Sequence, residues 1–218
     1  NVLVLQSKCF RSNRSEKLSV WSPIVATLRH IVSTEPQSFS ALTVATSKQL
    51  SAVPLQHGEL DNVELSIYQL LLSVLNKHPI LLLFDNVQWA DTDSILFLHR
   101  LLQRFQNHPI SCLLLGRDIL PPTIQTAINE WEEENLLDVF VIPNFSLEEV
   151  QEYVQSNLSS KAAELAAPIF AATEGNPYLL NKMILSCCHD TADPNILLQQ
   201  LELLNEYRLK MLSADALE

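Results

Sequence analysis

Residues 79–91 read Pro79-Ile80-Leu81-Leu82-Leu83-Phe84-Asp85-Asn86-Val87-Gln88-Trp89-Ala90-Asp91. The stretch Ile80–Phe84 is apolar throughout, with no polar residue in alternation. A strand with one wet side alternates, so an unbroken run reads as a strand buried on both faces. Such strands belong to parallel sheets, whose crossovers run through helices. Asp85 closes the run, and open α/β sheets bind ligands at the carboxyl ends of their strands. In a nucleotide-binding domain, that is the place of the carboxylate that holds Mg²⁺ beside the phosphates.

The residues on either side repeat the theme. Val2–Leu5, Ile110–Leu115 and Val139–Ile142 have the composition of further strands. Between them lie helical patterns. Trp21, Ile24, Val25, Leu28 and Ile31 share one face, with Ser22 as cap and Pro23 in the first turn. A weak helical pattern spans Phe39–Leu50. A stronger one, capped by Asp61, carries Val63, Ile67, Leu70, Leu71, Val74 and Leu75. Helices are also predicted over Asp91–Phe105, with Asp91 as cap, and over Thr123–Glu134. Strands alternating with helices predict an α/β fold with a parallel sheet. After Pro143 the pattern is helical alone. Ser146 and Glu149 form a capping box that Phe145 and Val150 staple. Helices follow near Ser160–Thr173, Pro177–Cys188 and Asn195–Leu212. These patterns divide the chain into an α/β core, residues 1–143, and a helical lobe, residues 144–218.

Composition excludes several roles. With 218 residues and 47% hydrophobic content, the chain has enough apolar mass for a packed α/β domain with a helical appendage. A net charge of −11 repels nucleic acid, and Arg11, Arg14 and Lys17 are its one tight basic group. No apolar run approaches the roughly 18 residues of a membrane span. Cys9, Cys112, Cys187 and Cys188 form no disulfide framework, so a reducing cytoplasm is the expected setting. Adjacent helical residues point about 100° apart, and no second pair follows Cys187-Cys188-His189 at zinc spacing. The histidines are scattered, which gives no support to a nucleophile–His system.

Four motifs in order carry a resemblance. The first is the strand with its Asp85-Asn86-Val87-Gln88-Trp89-Ala90-Asp91 tail. The second is Leu113-Leu114-Leu115-Gly116-Arg117-Asp118, a strand ending on a basic residue. The third is Pro143-Asn144-Phe145-Ser146-Leu147-Glu148-Glu149. The fourth is Thr173-Glu174-Gly175-Asn176-Pro177. Together they resemble the signal-transduction ATPases with numerous domains, a P-loop clan related to AAA⁺ proteins. The likeness is greatest to the ATPase modules of large LuxR-type transcriptional regulators and of adenylate-cyclase fusions, and it covers nearly the whole chain. It implies a P-loop NTPase-like parallel sheet flanked by helices, with a C-terminal helical lobe, binding ATP or ADP with Mg²⁺ between them. It also implies roles for single residues. Asp85 is the metal-holding acid, Arg117 a γ-phosphate sensor, and Gly175-Asn176-Pro177 the clamp on the adenine.

The chain departs from that pattern twice. No Gly-x-x-x-x-Gly-Lys-Ser/Thr occurs in it; the three glycines are Gly58, Gly116 and Gly175. The resemblance therefore implies that the first strand and phosphate loop precede Asn1, and that the tail Leu212–Glu218 runs into a further domain. It also implies that the missing strand belongs between Ile80–Phe84 and Ile110–Leu115. Its absence would leave a slot in which each buried unpaired group costs about 1–3 kcal/mol. Second, Asn86 stands where the family has an acid. An amide orients water but takes no proton, and general-base help is worth about 10²–10⁴-fold. The expected function is thus an ATP/ADP-responsive regulatory switch with little hydrolysis, holding ATP or ADP and Mg²⁺ only with the missing phosphate loop restored. Its expected partners are nucleotide and a fused or separate output domain, with no direct nucleic-acid contact by this segment, no membrane, and an oligomer possible. Two rivals remain. One is a non-catalytic scaffold that uses the fold for protein contacts, through Arg11–Lys17 and Ile196–Leu212. The other is a hydrolase completed by upstream residues. Each site residue also has a plain structural reading. Asp85 and Asn86 suit a turn, Trp89 packing, Asp91 a cap, Arg117 a partner for Asp118, and Gly175-Asn176-Pro177 a helix stop and start.

Overall fold

A computed structural model describes residues 1–52, 60–117, 119–157 and 165–189. The chain divides into two compact units, Asn1–Phe140 and Val141–Glu218. The first is an α/β unit built on a small open sheet of three parallel strands: β1 (Leu3–Lys8), β2 (Ile80–Asp85) and β3 (Ile110–Leu115), in the spatial order β1-β2-β3. The register is continuous, from Leu3↔Ile80↔Ile110 to Lys8↔Asp85↔Leu115. β1 is longer than the predicted Val2–Leu5 because Gln6, Ser7 and Lys8 keep a partner on β2 to its end. β2 pairs directly with β3, so the slot expected between them does not exist. Among the described residues, the outer sides of β1 and β3 have no strand paired to them.

Helices α1 (Ser22–Thr34), α2 (Ala41–Ala52) and α3 (Leu60–Leu75) join β1 to β2, and α4 (Thr92–Arg104) joins β2 to β3. Both crossovers step the same way across the sheet. A right-handed connection then falls on the same face each time. Burial agrees. Leu5, Ile80, Leu82 and Phe84 share one core with Ile24, Leu28, Ile67, Leu70, Leu71, Leu98 and Leu101. Trp21 stands edge-on to both Phe84 and Phe97, at centroid distances of 5.4 and 4.7 Å. On the opposite face Val4, Leu113 and Leu115 are exposed, and Leu81 and Leu83 are half-buried. The expectation of burial on both faces is met on one.

Local chemistry explains the helix starts, with some corrections. α1 follows a 3₁₀ turn at Ser19–Trp21, so Ser22 is its first residue and not its cap. α3 begins at Leu60, which places Asp61 inside the helix. Asp91 does cap α4, its Oδ1 accepting from Ser94 N at 2.9 Å. α5 (Pro122–Glu133) ends on a buried Trp131 followed by exposed acids, of which Glu134 meets His99 at 2.9 Å. Val139–Ile142 is not a strand. It pairs with nothing among the described residues, and Phe140 and Ile142 are 86% and 88% exposed. Apolar β-formers need an edge to pair with, and the pairing partner, more than propensity, decides.

The second unit packs α6 (Leu147–Asn157), α7 (Ala166–Thr173) and α8 (Pro177–His189) around Val150, Val154, Ile169, Leu180, Met183 and Ile184. The capping box forms in full. Glu149 N donates to Ser146 Oγ at 3.2 Å, and Ser146 N donates to Glu149 Oε2 at 2.7 Å. Phe145 packs on the cluster that holds Val150. The predicted helix at Asn195–Leu212 lies outside the described residues, as do the start of Ser160–Thr173 and Gly58.

Candidate functional site

At the carboxyl end of the sheet, Lys8, Asp85 and Leu115 end their strands at one level. Cys9 N donates to Asp85 O at 2.9 Å and ties the ends of β1 and β2 together. By strand alternation, Lys8 and Asp85 share the open face with Val4, Gln6, Leu81 and Leu83. Lys8 Nζ lies 3.7 Å from Asp85 Oδ2, with the two side chains 53% and 33% exposed. A pair this wet is worth about 0–1 kcal/mol. The fold therefore does not depend on the Asp85 carboxylate.

Asn86 takes a left-handed conformation, φ 59° and ψ 45°, and its carbonyl accepts from Trp89 N at 2.9 Å. Asparagine is among the few non-glycine residues that visit this region. The backbone turn alone accounts for its presence. A 3₁₀ turn, Val87–Trp89, follows. Within it Gln88 is 4% exposed, and neither its Oε1 nor its Nε2 has a partner among the described residues. Gly116, just past β3, backs onto this turn. A Cβ there would stand 2.8 Å from Val87 Cγ2 and 3.7 Å from Gln88 Oε1. Trp89 is half-buried against the core, with the Arg11 guanidinium 5.4 Å from its ring centroid. Arg117 is exposed, and its neighbour Asp118 lies outside the described residues. Below the strand ends, burial first and then the charges of Asp91 and Asp85 push the Cys9 thiol up to about 12. That group is no nucleophile at neutral pH.

The donor set decides which metal chemistry fits. Among the described residues there is no group of three or more His, Cys, Asp or Glu that could hold an ion. That excludes a protein cage there. Mg²⁺ asks for less, taking one or two carboxylates and filling the remaining positions with water and phosphate oxygens. Asp85 fits that lesser demand, half-exposed and answered by a single ammonium.

Gly175, Asn176 and Pro177 lie in the second unit, each with a local task. Gly175 has φ +71°, and a Cβ would fall 1.9 Å from Phe145 O. Its own carbonyl accepts from Phe145 N at 2.9 Å. The close approach it permits is therefore to Phe145. Asn176 Oδ1 caps α8, accepting from Tyr178 N at 3.0 Å and Leu179 N at 3.2 Å, and Pro177 opens that helix.

Within the first unit, then, Asp85 and Asn86 are adjacent on one strand end, and Arg117 follows the next strand. Sequence reasoning missed Lys8 and Gln88. Lys8 lies beyond the apolar run Val2–Leu5, and the polar residues Gln6, Ser7 and Lys8 carry no strand signal of their own. Gln88 was visible only as part of a motif, since nothing local tells a buried amide from an exposed one. At the other end of the sheet an open groove of about 460 Å³ is lined by Pro79, Leu81, His108 and Ser111. It carries no acid. Comparisons of the chain with models of known protein families, with curated proteins and with solved structures find no match.

Proposed function

We propose that this chain is an ATP/ADP-binding regulatory switch module of a multidomain signalling or transcription-regulating ATPase of the P-loop type. What carries the reading is Asp85, a half-exposed carboxylate at the carboxyl end of the central strand of a parallel sheet. The fold gains little from it, and ligands of open α/β sheets bind at that end. Bound Mg²⁺ would supply charge neutralisation for the phosphates. Asp85 would hold its water shell, and Arg117 would meet the terminal phosphate. Asn86 orients water without taking its proton, so hydrolysis is weak. The chain contains no Gly-Lys phosphate loop. A neighbouring output domain reads the nucleotide state, because a ligand shifts an equilibrium by binding its states differently.

Thermal shift tests this with Mg-ATP and Mg-ADP, on the chain with a phosphate loop restored before Asn1 and on the same protein carrying Asp85→Asn. At ten times Kd a ligand adds about 1.4 kcal/mol. For a chain of this size that raises Tm by about 3–5 °C. The expected result is a shift in the loop-restored chain that is lost in D85N. No shift with either nucleotide contradicts the switch.

One observation favours a second reading, the non-catalytic scaffold. The open sheet face carries Val4, Leu113 and Leu115, and among the described residues no strand pairs with the outer edge of β3. Apolar faces and free edges are what protein partners cover. The scaffold predicts that D85N changes nothing and that neither nucleotide shifts Tm.

A further inference from the structure

Lys8 and Asp85 stand at the same register level on neighbouring parallel strands. Side chains at one level project from the same face, so the two groups are brought together by the sheet itself. The Cys9 N bond to Asp85 O holds those strand ends fixed. The ammonium reaches to 3.7 Å from Asp85 Oδ2 on a four-carbon stem that is half in water. A divalent ion held by Asp85 would need the same oxygen and would repel the ammonium beside it. We propose that Lys8 is a tethered cation that competes with divalent metal for Asp85, and that it gives up the carboxylate when the metal arrives with a polyphosphate. The phosphate oxygens then supply the ammonium with a new anionic partner, and metal and nucleotide bind with positive coupling. Lys8 is a positioning residue, acting on the metal through Asp85. The inference rests on the reading of Asp85 as the metal carboxylate.

The test is Mn²⁺ binding by water-proton relaxation on the whole 218-residue chain at low ionic strength, first without and then with ATP. Lys8 is exposed at a strand end, so its replacement leaves the core intact. Removing a unit charge about 4 Å from the site is expected to tighten Mn²⁺ binding about three- to tenfold in Lys8→Met. The gain fades at high salt, where exposed charges are screened. Lys8→Arg, which keeps the charge, stays at native affinity. ATP tightens Mn²⁺ binding less in K8M than in the native chain. Unchanged or weaker Mn²⁺ binding in K8M overturns the competition. Asp85→Asn separates the two failures. If D85N loses Mn²⁺ while K8M matches the native chain, the metal carboxylate stands and the competition falls. If D85N binds Mn²⁺ like the native chain, the ion sits elsewhere and both fall.

Discussion

Both carboxylate oxygens of Asp91 are committed inside the protein. Oδ1 accepts from Leu18 N at 3.0 Å and Ser94 N at 2.9 Å, and Oδ2 from Ser19 N, Ser19 Oγ and Ser94 Oγ at 3.1, 3.0 and 2.6 Å. One side chain thus caps α4 and pins the loop before α1, where Leu18 is held at φ 54°. Asp85, six residues earlier, has one wet ion pair. The two acids look alike in sequence and differ in task. Asp91→Ala leaves buried donors unanswered and is expected to cost about 3–5 kcal/mol. Asp85→Asn is expected to cost under about 1 kcal/mol. Urea unfolding of the two variants measures both. Equal losses would mean that Asp85 is structural too. The cap on α4 was legible, because capping is a local pattern. The bonds to Leu18 and Ser19 were not, since no local rule names a partner 72 or 73 residues away.

At the scale of elements, the parallel sheet followed from alternation of strand and helix patterns, and its sidedness did not. The run Ile80–Phe84 has apolar residues at odd and even positions, which fits burial on either face or both. The order β1-β2-β3 settles the matter, because two right-handed crossovers in one direction cover one face. Leu82 and Leu113 are therefore unequal despite neighbouring strands. Leu82 is fully buried, and Leu82→Ala is expected to cost about 2–5 kcal/mol. Leu113, on the open face, is 45% exposed, and Leu113→Thr is expected to stay within about 1 kcal/mol. Chemical denaturation separates the two, and a large loss at Leu113 would mean that something packs on that face. Val139–Ile142 shows the limit of reading strands from composition. Its residues suit a sheet, yet among the described residues they find no edge, since pairing is a property of two segments and composition of one.

Among the described residues there are two cores, one in each unit, and the exposed segment Val139–Ile142 spans the boundary between the units. Exposed backbone outside helix and sheet is where proteases cut first. Brief chymotrypsin treatment is expected to cleave after Phe140 before any site in the cores, leaving two resistant fragments. Early cuts at Phe84 or Phe97 instead would contradict the division into units. The switch proposal adds that metal and nucleotide meet the first unit at one end of its sheet. Paramagnetic broadening of backbone amide signals by Mn²⁺–ATP tests that directly, because the effect falls steeply with distance from the ion. The proposal predicts that Lys8, Asp85, Asn86 and Gly116 lose intensity first, and that Asp85→Asn restores it. Broadening centred on Ile80, Ile110 and Ser111, at the opposite end of the same strands, would contradict it.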